Sequence, residues 1–187
     1  MNKVFGKISD FSPVREDGSR VIISYGFEAV DEENATWQEV YLYKKQQAIV
    51  TLDVVKQAVI GDIDAKTDGR ILEGYEWTLL HGPQEGQAVK VWLSKENQTN
   101  FKAKHDRALQ KPDSVTWPVT YKVGEVDGQP VYELFADIDE LTDFVYGAQD
   151  YIEAQLGIGW QEKDAIDWSP YEALFPAAEA ESGTASE

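Results

Sequence analysis

Alternating apolar and polar positions near the N-terminus predict β-strands. Apolar residues recur at every second position in RVIISYGFEAV, residues 20–30, and in ATWQEVYLYKK, residues 35–45, with the turn-forming DEEN between them. A shorter stretch, KVFGKIS, precedes these segments, and REDGS supplies the intervening turn. The pattern therefore predicts a three-stranded antiparallel meander over residues 3–45.

The period of the apolar positions becomes helical after residue 50. In TLDVVKQAVIGDIDAKTDG, residues 51–69, the apolar positions 52, 55, 59 and 63 share one helical face. Thr51 is suited to cap the first turn, and Gly69 is typical of a residue that ends a helix. We therefore expect one helix that links the N-terminal sheet to the remainder of the chain.

Strand patterns rich in aromatic residues resume after this helix. RILEGYEWTLL and AVKVWLS flank the turn HGPQEGQ, which predicts one hairpin over residues 70–94. TWPVTYKVG and PVYELFA flank the turn EVDG, which predicts a second hairpin over residues 116–136. Between the hairpins, Ser94 can cap a helix over residues 95–110.

The clearest helix signal lies near the C-terminus. Asp137 and Glu140 form a capping box, and apolar residues then recur at helical spacing from position 141 to position 156. We expect Gly157 and Gly159 to break or kink this helix, although apolar positions continue the stripe towards residue 167. From Pro176 onward, the small and acidic PAAEAESGTASE predicts a flexible tail.

These elements together predict an α+β protein with a small N-terminal antiparallel β-meander, a linking helix, and two β-hairpins packed with two helices. The expected boundaries place a β subdomain at residues 1–50, the linking helix at 51–69, an α+β domain at 70–168 and an acidic tail at 169–187. A chain of 187 residues is long enough for one substantial core or for two compact lobes.

Charge narrows the classes of partner. The 34 acidic residues exceed the 17 basic ones, and the resulting net charge of −17 repels nucleic-acid phosphates and anionic membranes. The sequence contains no Cys, which excludes disulfides and Cys-ligated zinc. No window approaches the roughly 18 apolar residues of a membrane helix, and the N-terminus lacks a long apolar run, so we expect a soluble chain without a standard export signal.

No motif in the sequence predicts catalysis. The acidic segment DIDAKTDG, residues 62–69, lacks the ligand spacing of a calcium loop, because Lys66 and Tyr75 fall where oxygen ligands belong. His81 and His105 are the only two histidines and lack metal-ligand spacing. A nucleophile elbow and a phosphate-binding loop are both missing, and no acidic pair stands out for glycoside hydrolysis. We therefore expect a non-enzymatic protein with no catalytic residue, cofactor or metal site.

Two groups of side chains are candidates for contact with a partner protein. Amides at a helix start suit either a first turn that bonds a neighbouring strand or a surface that a partner binds. Indoles are either core residues or the exposed anchors of an interface. The candidates are Asn97, Gln98 and Asn100 in the amide cluster, and Trp77, Trp92 and Trp160 among the indoles.

The order of motifs in the second half of the chain resembles a phage family. The motifs are GYEW at residues 74–77, a strand ending in Ser94 and followed by ENQTN, PVT at 118–120, DELTDF at 139–144, and Lys163 with Asp164. They are similar in order and spacing to a phage and prophage tail-module domain family of unknown function, found in tail-fibre assembly and related virion proteins. The resemblance covers residues 70–167.

The resemblance implies a tail-fibre assembly factor, acting as a chaperone, or an accessory virion subunit. Its partner would be a tail-fibre or baseplate component, met in the host cytoplasm during assembly or in the virion, and the protein itself is compatible with an oligomer. Two other functions stay open. The excess of carboxylates suits an acidic DNA mimic or inhibitor directed at a host protein. A hydrolase would instead require a cleft with converging carboxylates or histidines.

Overall fold

A computed structural model describes residues 2–44 and 50–176 and confirms the α+β class. The chain divides into two compact units, one formed by Met1–Asp64 with Gln161–Glu187 and the other by Ala65–Trp160. The first unit thus combines the N-terminal sheet with a segment near the C-terminus. The predicted domain boundaries assign these two segments to different domains. Of the tail predicted at residues 169–187, the described part includes a helical turn, Ser169–Glu172, in which Tyr171 is buried, and the part from position 177 onward lies outside the described residues.

The first unit contains a four-stranded antiparallel sheet. Its strands β1 (Lys3–Lys7), β2 (Val14–Asp17), β3 (Arg20–Ala29) and β4 (Asn34–Tyr43) lie in the order β1-β4-β3-β2. The predicted three-stranded meander is wrong in two respects, since β2 is an additional strand and β1 pairs with β4. The β2 sequence VRED is short and charged, so its strand conformation depends on pairing with β3 more than on its own pattern.

Helix α1 (Leu52–Leu72) places its predicted apolar face against the core of the first unit, with Val55, Val59 and Ile63 buried and Leu52 partly buried. Thr51 Oγ1 accepts a hydrogen bond from the backbone N–H of residue 54 at 3.4 Å, as an N-cap does. This core combines the helix with the sheet and with a tyrosine near the C-terminus. Its buried residues are Ile23, Tyr25, Val55, Val59, Ile63 and Tyr171.

The predicted end of α1 at Gly69 is wrong, because the helix continues to Leu72. A glycine inside a helix costs only about 1 kcal/mol relative to alanine, and the longer helix recovers that cost through burial of residues such as Ile71. The turn that follows the helix depends on Gly74, which has a φ of +80°. The glycine that terminates the helical segment is therefore the one with left-handed backbone geometry.

The second unit contains two hairpins and most of two long helices. The predicted second hairpin is confirmed, and the strands of the first are shorter than predicted because residues 70–72 belong to α1. The backbone N–H of Trp92 donates to the carbonyl of Val123 at 2.9 Å and connects the hairpins. The elements are β5 (Tyr75–Thr78), β6 (Ala88–Val91), α2 (Lys95–Gln110), β7 (Val119–Val126), β8 (Gln129–Phe135) and α3 (Ile138–Asp164), and a short α4 (Ser169–Glu172) follows in the first unit.

The capping box of α3 is present, with a shifted return bond. Asp137 Oδ1 accepts from the backbone N–H of Glu140 at 3.1 Å, and the Glu140 carboxylate accepts from the backbone N–H of Ala136 at 2.6 Å. Of the two alternatives at Gly157 and Gly159, a break and a continued helix, the structure shows the second, since α3 is continuous through both glycines to Asp164. Gly159 is buried, and a Cβ there would lie 2.4 Å from Thr67 Oγ1. This glycine permits close packing inside the second unit.

Phe144 lies at the centre of the second unit's core and is fully buried. Its ring centroid is 4.9 Å from that of Phe135, 5.0 Å from Phe101 and 5.2 Å from Trp77. These rings come from α3, β8, α2 and β5, so one aromatic cluster joins both helices to both hairpins. The contact between Phe101 and Phe144 within this cluster holds α2 against α3.

Candidate functional site: a groove between α2 and α3

The amide cluster fastens the start of α2 to the end of β6. Ser94 Oγ accepts from the backbone N–H of Asn97 at 3.2 Å, as predicted for the N-cap. The side-chain N–H groups of Asn97 and Gln98 donate to the carbonyls of Trp92 and Leu93, at 3.0 and 2.6 Å. These bonds satisfy carbonyls between a strand and a helix, so two of the three amides have a structural role.

The third amide has a different environment. Asn100 is exposed, and its side chain makes no hydrogen bond to any residue that the structure describes. Its backbone carbonyl accepts from the hydroxyl of Tyr121 at 3.1 Å. The side chain of Asn100 is thus open to a partner.

We expect Gln98→Ala to lower the free energy of unfolding by about 1 kcal/mol, because the carbonyl of Leu93 loses its donor. Asn100→Ala is the matched control and should change that free energy by less than about 0.5 kcal/mol. Urea denaturation followed by tryptophan fluorescence measures both. Equal values for the two variants would contradict the assigned role of Gln98.

A groove of about 480 Å³ runs between α2 and α3 in the second unit. Its floor is formed by buried Phe101, His105 and Ala148. Two large apolar side chains stand at its edges, Leu109 with 57% of its surface exposed and Tyr146 with 53%. A concave apolar surface of this size, beside exposed apolar side chains, is typical of a binding site.

His105 contributes a buried polar atom to the groove floor and is 4% exposed. Thr142 Oγ1 donates to the carbonyl of Ile138 at 2.7 Å and lies 3.0 Å from His105 Nε2. The Thr142 hydroxyl thus lies between the Ile138 carbonyl and the imidazole of His105, within hydrogen-bonding distance of both. The imidazole therefore ties α2 to α3 beneath the groove.

Carboxylates line the outer flank of α3, beside the groove. Positions 139, 143, 146, 150 and 153 are spaced by three and four residues, so Tyr146 lies in the same row as four acids. We call these four, Asp139, Asp143, Asp150 and Glu153, the acidic stripe. All are exposed, and within the described residues none of them forms an ion pair. No Lys or Arg occurs in residues 138–162.

The three candidate tryptophans lie in different places. Trp77 packs against the core and donates from Nε1 to Glu133 Oε2 at 2.7 Å. Trp92 is 40% exposed, with Lys122 Nζ 4.8 Å from its ring centroid. Trp160 is 62% exposed. None of the three lines the groove, and exposure leaves only Trp92 and Trp160 open to a partner.

Of the residues that line the groove, the sequence singled out only Gln98, as a member of the amide cluster. Phe101, His105 and Leu109 repeat at helical spacing, which predicts a core face and does not show where that face leaves the core. One feature of the sequence could have indicated the groove: Leu109 and Tyr146 lie at the margins of the apolar faces of two helices. Pairing these margins requires the tertiary arrangement of α2 and α3.

A second polar cluster lies at the start of α3. His81 Nε2 is 2.9 and 3.0 Å from the two oxygens of Glu140, whose hydrogen bond raises the pKa of the imidazole above its usual value. Glu133 is fully buried nearby on β8 and accepts from Trp77 and from two backbone N–H groups. Both carboxylates are engaged in bonds that hold the fold, which gives this cluster a structural role.

The His81–Glu140 pair makes stability depend on pH. Because the folded-state pKa of His81 exceeds the unfolded value of about 6.5, the pair's contribution is complete below that value and is lost as pH rises through the folded-state pKa. We expect the NMR titration of His81 to shift to lower pH in Glu140→Gln, whose amide oxygen retains the cap to Ala136. An unchanged titration would contradict the pairing.

The described part of the chain contains no group of three or more His, Asp or Glu side chains arranged to hold a metal ion. The acidic segment at residues 62–69, which lacks calcium-loop spacing, is helical as part of α1. In residues 2–44 and 50–176, no helix combines the length and apolarity needed to cross a bilayer. No family model, curated protein or solved structure matches this chain.

Proposed function

We propose that this chain is a non-enzymatic phage tail-module protein that binds another protein through the groove between α2 and α3. It would act as a tail-fibre assembly factor or as an accessory virion subunit. The phage assignment rests on the resemblance of residues 70–167, and the binding role rests on the groove itself. The partner would be a tail-fibre or baseplate component.

One observation carries the binding role: Leu109 and Tyr146 expose more than half of their surfaces on either side of a preformed apolar groove. Exposing apolar surface of this kind to water is unfavourable in free energy. A partner that covers the surface removes this unfavourable contribution. The groove floor is held by the Phe101 ring and by the His105–Thr142 bond. Binding would therefore require little rearrangement of the protein.

The experiment compares recovery of phage proteins by tagged wild type and by a groove variant. Leu109→Asp places a charge at the groove edge and leaves the buried floor intact. Leu72→Asp is the matched control, because Leu72 is also 57% exposed and lies outside the groove. The bound proteins are identified by mass spectrometry, from disrupted virions and from phage-producing lysates. We expect a tail component to be recovered by wild type and by Leu72→Asp but not by Leu109→Asp.

Two results would overturn the proposal. Recovery of the same tail component by Leu109→Asp and by wild type would remove the groove as the binding site. Exclusive recovery of a host nuclease or regulator would favour the acidic mimic, for which the acidic stripe is the supporting observation.

A further inference from the structure

The groove matches a helix in length and in the chemistry of its lining. Its residues on α2 extend from Gln98 to Leu109, which corresponds to about 17 Å or three helical turns. The lining alternates between apolar floor and polar rim, as in grooves that accept the apolar face of an amphipathic helix. A helix also satisfies its own backbone hydrogen bonds, which matters here because the groove floor is largely apolar.

The two rims of the groove differ in charge. On the α2 rim, Lys102 pairs with Asp106 at 3.0 Å, so this rim is locally neutral. On the α3 side, Glu153 of the acidic stripe borders the groove, with Asp150 one helical turn away and no basic residue in between. A bound segment therefore meets net negative charge along one flank only.

We propose that the occupant of the groove is an amphipathic helix of a partner protein, with an apolar face against Phe101 and Ile152 and a row of Lys or Arg along the flank that faces the acidic stripe. This inference rests on the proposed function and specifies the chemistry of the partner. A second copy of this chain fits poorly, because each copy carries a net charge of −17 and the copies repel one another. Opposite charge along one flank would also fix the direction of the bound helix.

The test uses two synthetic helical peptides of about 14 residues, or about 21 Å, with the same leucine stripe. One carries Lys on a single flank, and the other carries Glu at the same positions. We expect the Lys peptide to perturb the amide NMR signals of residues 98–109 and 145–156, and the Glu peptide to bind at least about tenfold more weakly. A scrambled Lys peptide of identical composition should bind weakly and without localised perturbations.

A pair of charge-neutralising variants assigns the effect to the acidic stripe. Asp143→Asn with Asp150→Asn should weaken the Lys peptide by about three- to tenfold at low salt. Asp68→Asn with Asp113→Asn removes the same charge from exposed positions outside the groove and should have a much smaller effect. Equal loss in the two pairs would show a long-range effect of net charge and would overturn the assignment to the stripe.

The outcomes separate this inference from the proposed function. Groove binding of the Glu peptide with the same affinity as the Lys peptide would overturn the basic flank and leave the groove as a protein-binding site. Absence of groove perturbations by the Lys peptide, or equal binding of the scrambled peptide, would overturn the helical occupant. Loss of tail-component recovery in Leu109→Asp tests the proposed function independently of any peptide.

Discussion

Gly74→Ala is expected to lower the free energy of unfolding by about 4 kcal/mol, since it combines an unfavourable backbone conformation with a steric overlap. Gly74 is buried at the junction of α1 and β5 and has a φ of +80°. A Cβ at this position would lie 2.1 Å from the carbonyl oxygen of Val91 on β6. Because that carbonyl belongs to the backbone of a paired strand, it cannot move without disturbing the hairpin.

A matched control separates the two causes of this effect. Gly86 has nearly the same φ, +79°, and an added Cβ there meets nothing within 4 Å. Gly86→Ala should therefore lower the free energy of unfolding by only about 1 to 2 kcal/mol, which is the cost of a left-handed backbone conformation for a residue with a Cβ. Urea denaturation of both variants gives the comparison. Equal destabilisation would mean that the backbone at Val91 moves to accept the methyl group.

Local signals in the sequence were sufficient for several elements. Asp137 and Glu140 predicted the start of α3 because a capping box involves residues only three positions apart. The turn at Asp127 and Gly128 was predicted for the same reason, and both residues have positive φ, as a tight hairpin turn requires. Ser94 likewise predicted the start of α2.

Elements that depend on distant residues were not predictable in this way. The strand character of β2 comes from pairing with β3, and the continuation of α3 through Gly159 comes from packing against Thr67. Glu133 is a partial exception. It lies between Val131 and Phe135 at alternate strand positions, so a charged side chain at an inward position is visible in the sequence, although its hydrogen-bond donors are not.

In the candidate site too, features that depend on neighbouring residues were predictable and features that depend on distant residues were not. The amide cluster was recognised from the sequence, and the bonds of Asn97 and Gln98 to carbonyls of residues 92 and 93 are local enough to match one of its two interpretations. The groove was not recognised, because its walls are about forty residues apart in the chain and meet through the ring of Phe144. A surface formed by two helices becomes visible only when their packing is known.

Glu133→Leu is expected to lower the free energy of unfolding by about 3 kcal/mol, because it removes the acceptor of three N–H groups. Glu133 Oε2 accepts from Trp77 Nε1 at 2.7 Å and from the backbone N–H of Leu80 at 2.9 Å, and Oε1 accepts from the backbone N–H of Leu134 at 3.0 Å. The bonds from Trp77 and Leu80 tie β8 to the β5–β6 hairpin, and the bond from Leu134 lies within β8. Leucine restores apolar packing but accepts no hydrogen bond.

Three further variants, Glu76→Leu, Trp77→Phe and the double variant Trp77→Phe with Glu133→Leu, identify the hydrogen bonds as the cause. Glu76→Leu, at an exposed position on β5, should change the free energy of unfolding by less than about 0.5 kcal/mol. Trp77→Phe combined with Glu133→Leu should lower the free energy of unfolding by less than the sum of the single changes. Each single change already removes the hydrogen bond between the two side chains, so the double variant loses it only once. Urea denaturation of wild type, Trp77→Phe, Glu133→Leu and the double variant measures these costs. Additive costs would show that Glu133 acts through its shape and not through its acceptor oxygens.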